Sequence, residues 1–256
     1  MKLISWNSNC NWNTRNGAWK LELLRREYPD SDAVFLMEYP NDIKFANYVG
    51  VIARNGIPGV YPTGKDTRGV GLFCPEETGS SFRLRSFLPL REPSELAFAC
   101  GCEFDCDGRS FRMACVWNYP KIRNGKRGDY LKNALELIDC AGEFLAGHKS
   151  ILLGDFNITA FHESGKNSMK EREALARCFA SHDLCWLDAE KPEEEKKTWF
   201  MHKDLSKGYA IDFCAVTKSM IGADFKLEYG DPEKFVLRGK NGESASDHIP
   251  LILTIK

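Results

Sequence analysis

The sequence predicts an α/β protein in which two mixed, largely antiparallel β-sheets pack together with helices outside. Three observations favour this fold class. Apolar runs of strand length are numerous, helical periodicity is confined to three segments, and Asp107-Gly108 joins two strand-like runs as a tight hairpin turn. A doubly wound parallel sheet would alternate strands and helices throughout the chain. The hairpin and the small number of helices therefore favour antiparallel pairing.

Apolar runs and alternation define the expected elements in chain order. Strands are predicted near 2–6, 33–37, 49–53, 69–74, 82–88, 96–106, 110–117, 150–154, 210–217 and 249–255. Helices are predicted at 19–28, 129–146 and 169–181. In the second helix the apolar residues lie near one stripe, and Asp129 precedes it as an N-cap. That stripe consists of Leu131, Leu135, Ile138 and Leu145. This helix is therefore expected to cover a sheet.

Length and composition indicate one domain spanning residues 1–256. Of the 256 residues, 43% are hydrophobic, and no Pro/Ser-rich linker divides the chain. The net charge of -1 lacks the basic excess that alone would indicate a nucleic-acid-binding protein, although a local basic cleft would be hidden in that sum. The sequence has neither a signal-peptide pattern nor an apolar stretch of membrane-spanning length. We therefore expect a cytoplasmic protein with no membrane partner.

Ten cysteines raise the question of disulfides or zinc, and the tightest group is Cys100, Cys102 and Cys106. Alternation puts all three on one face of the 96–106 strand, together with aromatic residues. We therefore expect them to pack as small core hydrophobes rather than to bind zinc. All ten cysteines are expected to be free thiols in a reducing cytoplasm.

The first candidate site residues follow the apolar run 150–154. In an extended segment, residues two apart face the same way, so Asp155 and Asn157 can address one substrate while Phe156 turns into the core. Asp155 can accept a proton from water, and Asn157 can position that water or hold a phosphoryl oxygen. A simple Asp/Asn turn after a buried strand is the alternative interpretation. This motif alone does not separate the two.

Two further polar residues end apolar runs near the N-terminus. Glu38 follows the run 32–37, and a carboxylate at such a strand end is a hard-oxygen ligand suited to magnesium or manganese. Asn7 follows the run 3–6 and offers a neutral ligand or an orienting group. A solvent-facing Glu and an Asn in a turn are the ordinary alternatives. The metal-site interpretation is favoured only because other polar clusters also occur at the ends of apolar runs.

Asp247-His248 directly precedes the apolar closing strand 249–255. A histidine there can stabilise or protonate an oxyanion, while a second carboxylate fixes its tautomer and raises its basicity. Asp212 is the candidate for that carboxylate, because an acidic residue inside the apolar run 209–216 needs a partner or a function. A structural salt bridge is the alternative. The other four histidines show no metal-ligand spacing and are expected on the surface or in loops.

In chain order, five motifs resemble those of the endonuclease/exonuclease/phosphatase superfamily, the group of exonuclease III and DNase I. These motifs are Ser5-Trp-Asn7, Leu36-Met-Glu38, Gly154-Asp-Phe-Asn157, Ile211-Asp-Phe213 and Ser246-Asp-His248. The match extends from residue 3 to residue 253, and five ordered motifs are far more specific than any one of them. The resemblance implies a DNase I-like four-layer sandwich, in which two β-sheets pack face to face with helices outside. It also implies a site at one edge of the sheets.

The resemblance implies a role for each of these positions. Glu38 would bind a divalent metal, Mg²⁺ or Mn²⁺, with Asn7 and Asp247 as further ligands. Asp155 would orient or deprotonate the attacking water. The remaining roles concern the phosphate and the transition state.

Phosphate binding is assigned by the same resemblance to Asn157. His248, paired with Asp212, would stabilise the pentacovalent transition state. These roles agree with the chemistry expected from the residues themselves.

Two loops bear on the substrate. Asn118 is nearest to the place where many relatives carry a Tyr or His that contacts the scissile phosphate. Lys121 and Arg123 belong to the basic loop that follows and can track a phosphate backbone, although a solvated surface loop is an equal alternative. Trp199 lies in a Thr-aromatic-aromatic segment that resembles one in exonuclease III-type enzymes, but it can equally belong to the core. Tyr209 is expected to share its surface.

These expectations favour a divalent-metal-dependent phosphodiester hydrolase, and above all a DNA or RNA nuclease, using metal-assisted in-line attack of water. Nucleic acid is then the expected substrate. One alternative is a phosphatase or phosphodiesterase for a small or lipid-derived phosphate ester. A remote alternative is an inactive binding module, but every acidic and histidine position of the motifs is present.

Overall fold

The computed structural model describes residues 1–9, 14–40, 48–53, 68–75, 82–90, 98–119, 122–123, 126–127, 129–158, 166–187, 196–222, 225–237 and 245–256. Within these ranges the chain forms two six-stranded sheets, two two-stranded pairs and three α-helices. Among the helices of the described ranges, none has the length and apolar character needed to cross a membrane.

The first sheet contains strands from both ends of the chain. In spatial order its strands are β15 (Phe225–Tyr229), β16 (Leu251–Ile255), β1 (Lys2–Asn7), β2 (Ala33–Pro40), β4 (Arg68–Pro75) and β3 (Tyr48–Ala53). Only β1 and β2 pair in parallel, and the other neighbours are antiparallel. The parallel register sets Asn7 beside Met37, so both strands reach the same edge of the sheet.

The second sheet is likewise mixed. In spatial order its strands are β11 (Leu184–Trp186), β14 (Asp212–Thr217), β10 (Ser150–Asp155), β7 (Arg109–Trp117), β6 (Phe98–Cys106) and β5 (Arg83–Pro89). Only β10 and β7 are parallel neighbours. The β6–β7 hairpin turns at Asp107 and Gly108, whose φ angles of 50° and 71° confirm the turn that this dipeptide predicts. Antiparallel pairing of β10 and β14 sets Asp155 opposite Asp212.

Helices and short strand pairs complete the structure. The helices are α1 (Thr14–Glu27), α2 (Tyr130–Leu145) and α3 (Lys166–Ser181). Asp129 caps α2 as predicted, since its side chain accepts the Lys132 N–H at 3.0 Å, a contact worth about 1 kcal/mol. The short pairs are β8 (Ile122–Arg123) with β9 (Lys126–Arg127), and β12 (Trp199–Phe200) with β13 (Gly208–Tyr209). Two 3-10 turns, Met201–Lys203 and Lys218–Met220, and a π-helical turn, Glu233–Leu237, are also present.

Three apolar clusters show that the elements form four layers. The largest lies between the two sheets and joins side chains such as Phe35 and Met113. A second packs α2 and α3 against the outer face of the second sheet, through Ile138 and Phe179. A third packs α1 against the first sheet, through Leu24. At about 1.5–3 kcal/mol for each fully buried large apolar side chain, these clusters hold the layers together. The predicted two-sheet sandwich is confirmed.

The expected cysteine packing is also confirmed. Cys100, Cys102 and Cys106 all lie in the cluster between the sheets, together with Cys115 of the facing strand. All nine described cysteines are free thiols. Burial raises the pKa of Cys100 to about 12 and raises that of Cys102 strongly, so these two thiols are unreactive.

Candidate active site

Four of the sequence-predicted residues meet at one edge of the two sheets, and strand pairing explains why. In the first sheet, β1 ends at Asn7, which pairs with Met37 of β2, and Glu38 follows Met37 directly. In the second sheet, β10 ends at Asp155, which pairs with Asp212 at the start of β14. Asn7 Nδ2 donates to Asp155 Oδ2 at 2.9 Å and so joins the two sheets across the core. The site therefore depends on how the sheets pack.

An irregularity in the pairing of β2 orients the Glu38 side chain toward Asn7. The register between β2 and β4 shifts between Leu36 and Tyr39, and Glu38 has a φ of 53°, a left-handed conformation that is uncommon outside glycine. Such a conformation costs about 1–3 kcal/mol. Its half-buried carboxylate accepts a hydrogen bond from Asn7 Nδ2, with Oε1 at 3.2 Å. Glu38 and Asp155 thus share one carboxamide as a donor.

Asp155 is fully buried, and both of its carboxylate oxygens accept hydrogen bonds. Besides the Asn7 bond, Oδ1 accepts the Asn157 N–H at 2.8 Å, and Oδ2 accepts Asn157 Nδ2 at 3.0 Å. The pKa of Asp155 is raised to about 8, chiefly by burial and next by the negative charge of Asp212. The charge of His248 and the Asn7 hydrogen bond oppose this rise. A carboxylate with such basicity is suited to accept a proton from water near neutral pH.

His248 and Asp212 form a buried ion pair. Nδ1 lies 3.0 Å from Oδ2, and the two residues are 4% and 5% exposed. Burial lowers the pKa of His248, but the nearby carboxylates, Asp212 foremost, outweigh it and raise the pKa to about 10. At neutral pH the imidazole is therefore cationic, and Nδ1–H donates to Asp212. Nε2 lies 3.9 Å from Asp247 Oδ1.

A chain of hydrogen bonds fixes the His248 backbone to the end of β1. The His248 N–H donates to Ser246 Oγ at 3.1 Å, and that hydroxyl donates to the Asn7 carbonyl at 2.8 Å. Trp6 Nε1 donates to the His248 carbonyl at 2.9 Å. Ser246 lies in a predicted motif, but its bridging role could not be read from the sequence. The bridge holds the imidazole in register with Asn7.

Asp247 is held by two donors. Asn9 Nδ2 donates to Oδ1 at 2.7 Å, and Trp199 Nε1 donates to Oδ2 at 2.9 Å. Although burial raises its pKa, the charge of His248 and these bonds outweigh burial, so the pKa of Asp247 is lowered. Asn9 was not predicted as a site residue; its place two residues after Asn7 is the signal that would have found it. Its own N–H donates to Asn7 Oδ1 at 3.0 Å.

Asn157 reaches Asp155 by a different route from the one expected. The alternation of side chains predicts an extended chain through residue 157, whereas β10 ends at Asp155 and Asn157 has a φ of 50°. The turn folds its carboxamide back, so that Nδ2 donates both to Asp155 and to the Asn118 carbonyl at 3.0 Å. Phe156 is fully buried, as predicted. Asn157 thus orients Asp155, and its phosphate contact stays a prediction.

Asn118 is a positioning residue in this structure, which corrects its expected phosphate contact. The side chain is fully buried, and Nδ2 donates to the carbonyls of Tyr130, at 3.0 Å, and Phe156. Oδ1 accepts from Asn133 Nδ2. Both amide hydrogens are therefore used within the protein. These bonds tie the end of β7 to the start of α2 and to the turn after β10.

An aromatic pair lies beside His248. Trp199 pairs with Tyr209 between β12 and β13, their ring centroids are 5.7 Å apart, and both residues are half-buried. The Trp199 ring lies 6.5 Å from the His248 ring. Trp199 is thus not a core residue. Among the predicted basic contacts, Lys121 lies outside the described residues, and so does the side chain of Arg123.

The charges of the site suit a cation. The site contains one imidazolium and four carboxyl groups, which belong to Glu38, Asp155, Asp212 and Asp247. The ligand atoms of the buried trio of Asp155, Asp212 and His248 lie within 4.8 Å of one another, but its members already pair as acid and base. The Glu38 side chain is more exposed to solvent than the side chains of this trio. Carboxylate and carboxamide oxygens are the donors that magnesium and manganese prefer.

At the sequence level, no protein-family model matches the chain, and no curated protein does either. Solved structures match its fold over its whole length.

D. rerio TDP2 in complex with single-strand DNA product has a TM-score of 0.66 and 12% identity, covering 100% of this chain and 98% of that chain. The 3' phosphatase NExo from Neisseria, bound to product DNA hairpin, has a TM-score of 0.66 and 18% identity, covering 100% and 99%. An endonuclease/exonuclease/phosphatase family protein from Bacteroides thetaiotaomicron has a TM-score of 0.62 and 17% identity, covering 100% and 97%. The chain therefore has the DNase I-like fold of these proteins.

Proposed function

We propose that this chain is a divalent-metal-dependent phosphodiester hydrolase of the endonuclease/exonuclease/phosphatase superfamily. The observation that carries the proposal is the buried ion pair of His248 with Asp212 beside Asp155, which Asn7 bridges to Glu38. Each of these residues comes from a different sequence motif. A cationic acid, a basic carboxylate and a more open acidic group in one cluster are what hydrolysis at phosphorus requires.

Mg²⁺ or Mn²⁺ is the metal that we propose. Glu38 offers a carboxylate that is only half-buried, and Asn7 and Asp247 offer further oxygens that each retain a lone pair beyond their present hydrogen bonds. The donor set therefore fits a hard cation. When bound, the metal would stabilise negative charge on a phosphoryl oxygen and lower the pKa of bound water.

Asp155 is the proposed base. Its pKa of about 8 makes it able to take a proton from water, and three hydrogen bonds from Asn7 and Asn157 fix its direction. His248 is the proposed electrostatic stabiliser, because a buried imidazolium lowers the energy of the extra negative charge on the pentacovalent phosphorus. Asp212 holds it charged and correctly oriented. We propose that Asn157 also contacts the phosphate.

Nucleic acid, DNA or RNA, is the proposed substrate. The half-buried pair of Trp199 and Tyr209 lies beside His248, and base stacking on such aromatics contributes about 1–3 kcal/mol per base. Lys121 and Arg123 would add backbone contacts. The two solved structures that hold DNA product share the fold and support the same substrate class. A small or lipid-derived phosphate ester is the alternative.

Hydrolysis assays test this proposal. Purified protein with magnesium or manganese is incubated with labelled single-stranded DNA, duplex DNA, RNA and inositol phosphates. We expect cleavage of at least one nucleic acid, abolished by a chelator and by His248→Ala but retained by the matched control His148→Ala, whose side chain is exposed. Cleavage of the small phosphates alone would replace the nuclease with a phosphatase. Turnover of no substrate would leave an inactive binding module.

Two broader expectations stay predictions. The core between the sheets uses strands from both ends of the chain, which supports a single catalytic domain over residues 1–256. Free thiols at the described cysteines support a reducing, cytoplasmic location. Fractionation of cells that express the tagged chain tests the second.

A further inference from the structure

A second cluster of metal-ligating side chains lies on the outer helices, where the proposed hydrolase chemistry does not use it. Asp139 belongs to α2, Cys178 to α3, and His182 to the turn that follows α3. We propose that these three residues bind a thiophilic divalent cation such as Zn²⁺ and so link the two helices. The site is separate from the candidate active site, which draws no ligand from α2 or α3.

The ligand atoms are already close to zinc geometry. Cys178 Sγ lies 3.4 Å from Asp139 Oδ1, and His182 Nε2 lies 2.8 Å from the same oxygen. All three ligand atoms lie within 4.8 Å of one another. Tetrahedral zinc, with bonds of about 2.0–2.3 Å, separates its ligand atoms by roughly 3.3–3.8 Å. The distance between Cys178 Sγ and Asp139 Oδ1 already lies in this range, and the distance between His182 Nε2 and Asp139 Oδ1 is about 0.5 Å shorter.

The chemistry of the three donors selects the metal. A thiolate and an imidazole favour zinc over magnesium, so the magnesium used for hydrolysis would not occupy this site. The Cys178 thiolate and the Asp139 carboxylate together neutralise a divalent cation, and the thiol releases its proton on binding. The Asp139 side chain is 59% exposed, which leaves a fourth position open to water or to another ligand.

A glycine makes room for the imidazole. A Cβ atom at Gly142 of α2 would lie 2.2 Å from His182 Cγ and 2.3 Å from Nδ1. Glycine is the least favourable residue after proline inside a helix, yet α2 carries one where the ring lies against it. An ion pair between Asp139 and His182 does not require Cys178, whose Sγ lies 3.4 Å from the same carboxylate oxygen. The combination therefore favours a built ligand site.

His182 shows no metal-ligand spacing to another histidine, so a search of the sequence for paired histidines does not detect this cluster. Cys178 and His182 are four residues apart, which is the spacing of neighbours on one helix face. The third ligand, Asp139, is distant in sequence and comes close only because α2 packs against α3.

Cobalt substitution tests the site. The full chain is stripped with a chelator and titrated with Co²⁺, and the near-ultraviolet thiolate-to-cobalt absorption band is measured. We expect saturation at one equivalent, loss of the band in Cys178→Ser, and retention in the matched control Cys185→Ser. Asp139→Asn and Gly142→Ala should weaken binding by about 10- to 100-fold, the latter without removing a ligand. The active-site variant Asp155→Asn should keep the band.

Thermal unfolding gives a second measurement. Zn²⁺ should raise the Tm of the wild type and of Cys185→Ser by more than that of Cys178→Ser, because the folded wild-type chain has one zinc site more than this variant. The shift that remains in Cys178→Ser is due to the candidate active site, which Zn²⁺ also fits. Absence of a cobalt band in the wild type, or an equal band or zinc shift in Cys178→Ser, would overturn the proposal. Hydrolysis with magnesium should be unchanged in Cys178→Ser, so failure here leaves the proposed nuclease activity standing.

Discussion

Asp212→Asn tests the central charge pair of the site. The substitution keeps the size of the side chain but removes the negative charge 3.0 Å from His248 Nδ1. A rise in the pKa of His248 from 6.5 to about 10 corresponds to about 5 kcal/mol of preference for the charged imidazole, at about 1.4 kcal/mol per pKa unit. Asp212 is the largest contributor to that rise. Without its charge, only Asp155 and Asp247 oppose the effect of burial, so the pKa of the imidazole falls.

The charge pair also sets how stability depends on pH. Because the folded pKa of His248 is above its unfolded value, its stabilisation is fully present below about pH 6.5 and is lost as pH rises through about 10. Asp155 acts in the same direction in metal-free protein, since its folded pKa is about 8. The free energy of unfolding should therefore fall with rising pH in the wild type. Above about pH 8, where Asp155 is already ionised in the wild type, the fall should be much smaller in Asp212→Asn.

Three measurements check this reasoning. Urea unfolding with a chelator, at a series of pH values, gives the free energy of unfolding; NMR of the imidazole gives the pKa of His248; turnover with metal gives the catalytic effect. We expect the pKa to drop by several units and turnover to drop about 10²- to 10⁴-fold. Asp183→Asn, at an exposed ion pair, is the matched control. A wild-type His248 that titrates near pH 6.5 would refute the argument, and so would near-normal turnover in Asp212→Asn.

Three further substitutions test other parts of the site. Gly154→Ala should lower the free energy of unfolding by about 3–5 kcal/mol, as measured by urea unfolding. The φ of Gly154 is 147°, and a Cβ there would lie 2.0 Å from the Val116 carbonyl oxygen. A loss below about 1 kcal/mol would contradict this prediction. Glu38→Gln should raise the magnesium concentration needed for half-maximal turnover. The control Glu143→Gln, at an exposed residue, should leave that concentration unchanged. An unchanged magnesium titration in Glu38→Gln would show that Glu38 is not a metal ligand. Thr198→Val should lower the free energy of unfolding by about 1–3 kcal/mol. The Thr198 hydroxyl accepts hydrogen bonds from the buried backbone N–H groups of Ile211 and Asp212, both at 3.1 Å. An unchanged free energy of unfolding would show that water replaces the hydroxyl as the acceptor.

Local pattern was enough to predict most of the fold. The predicted strands and helices are present because alternation, apolar periodicity and the Asp107-Gly108 turn are properties of neighbouring residues. The three-residue strand β11 is too short to show alternation. β15 does alternate, with Phe225, Leu227 and Tyr229 packed against the core, so the sequence carries a signal for this strand. The first helix begins at Thr14, earlier than its apolar stripe indicates.

The candidate site was less predictable than the fold, because side-chain direction depends on partners distant in sequence. The ordered motifs indicated Asn7, Glu38, Asp155 and His248, and the structure brings these residues together. Asn118 carries no such signal: its carboxamide is engaged by Tyr130, Phe156 and Asn133 only in the folded chain. Alternation failed at Asn157 for a related reason, since the strand ends before it.

Three residues of the candidate site have strained backbone conformations. Among the described residues, seven other than glycine have a positive φ, and three of these lie at the site: Asn9, Glu38 and Asn157, with φ angles of 40°, 53° and 50°. Each of the three places its side chain in a hydrogen bond at the site. Left-handed conformations persist only where the surrounding structure enforces them. Here the enforcing elements are strand ends fixed by two packed sheets, and Asn7 links those sheets through a single carboxamide. The free energy of sheet packing is therefore what keeps the proposed catalytic groups oriented before substrate binds.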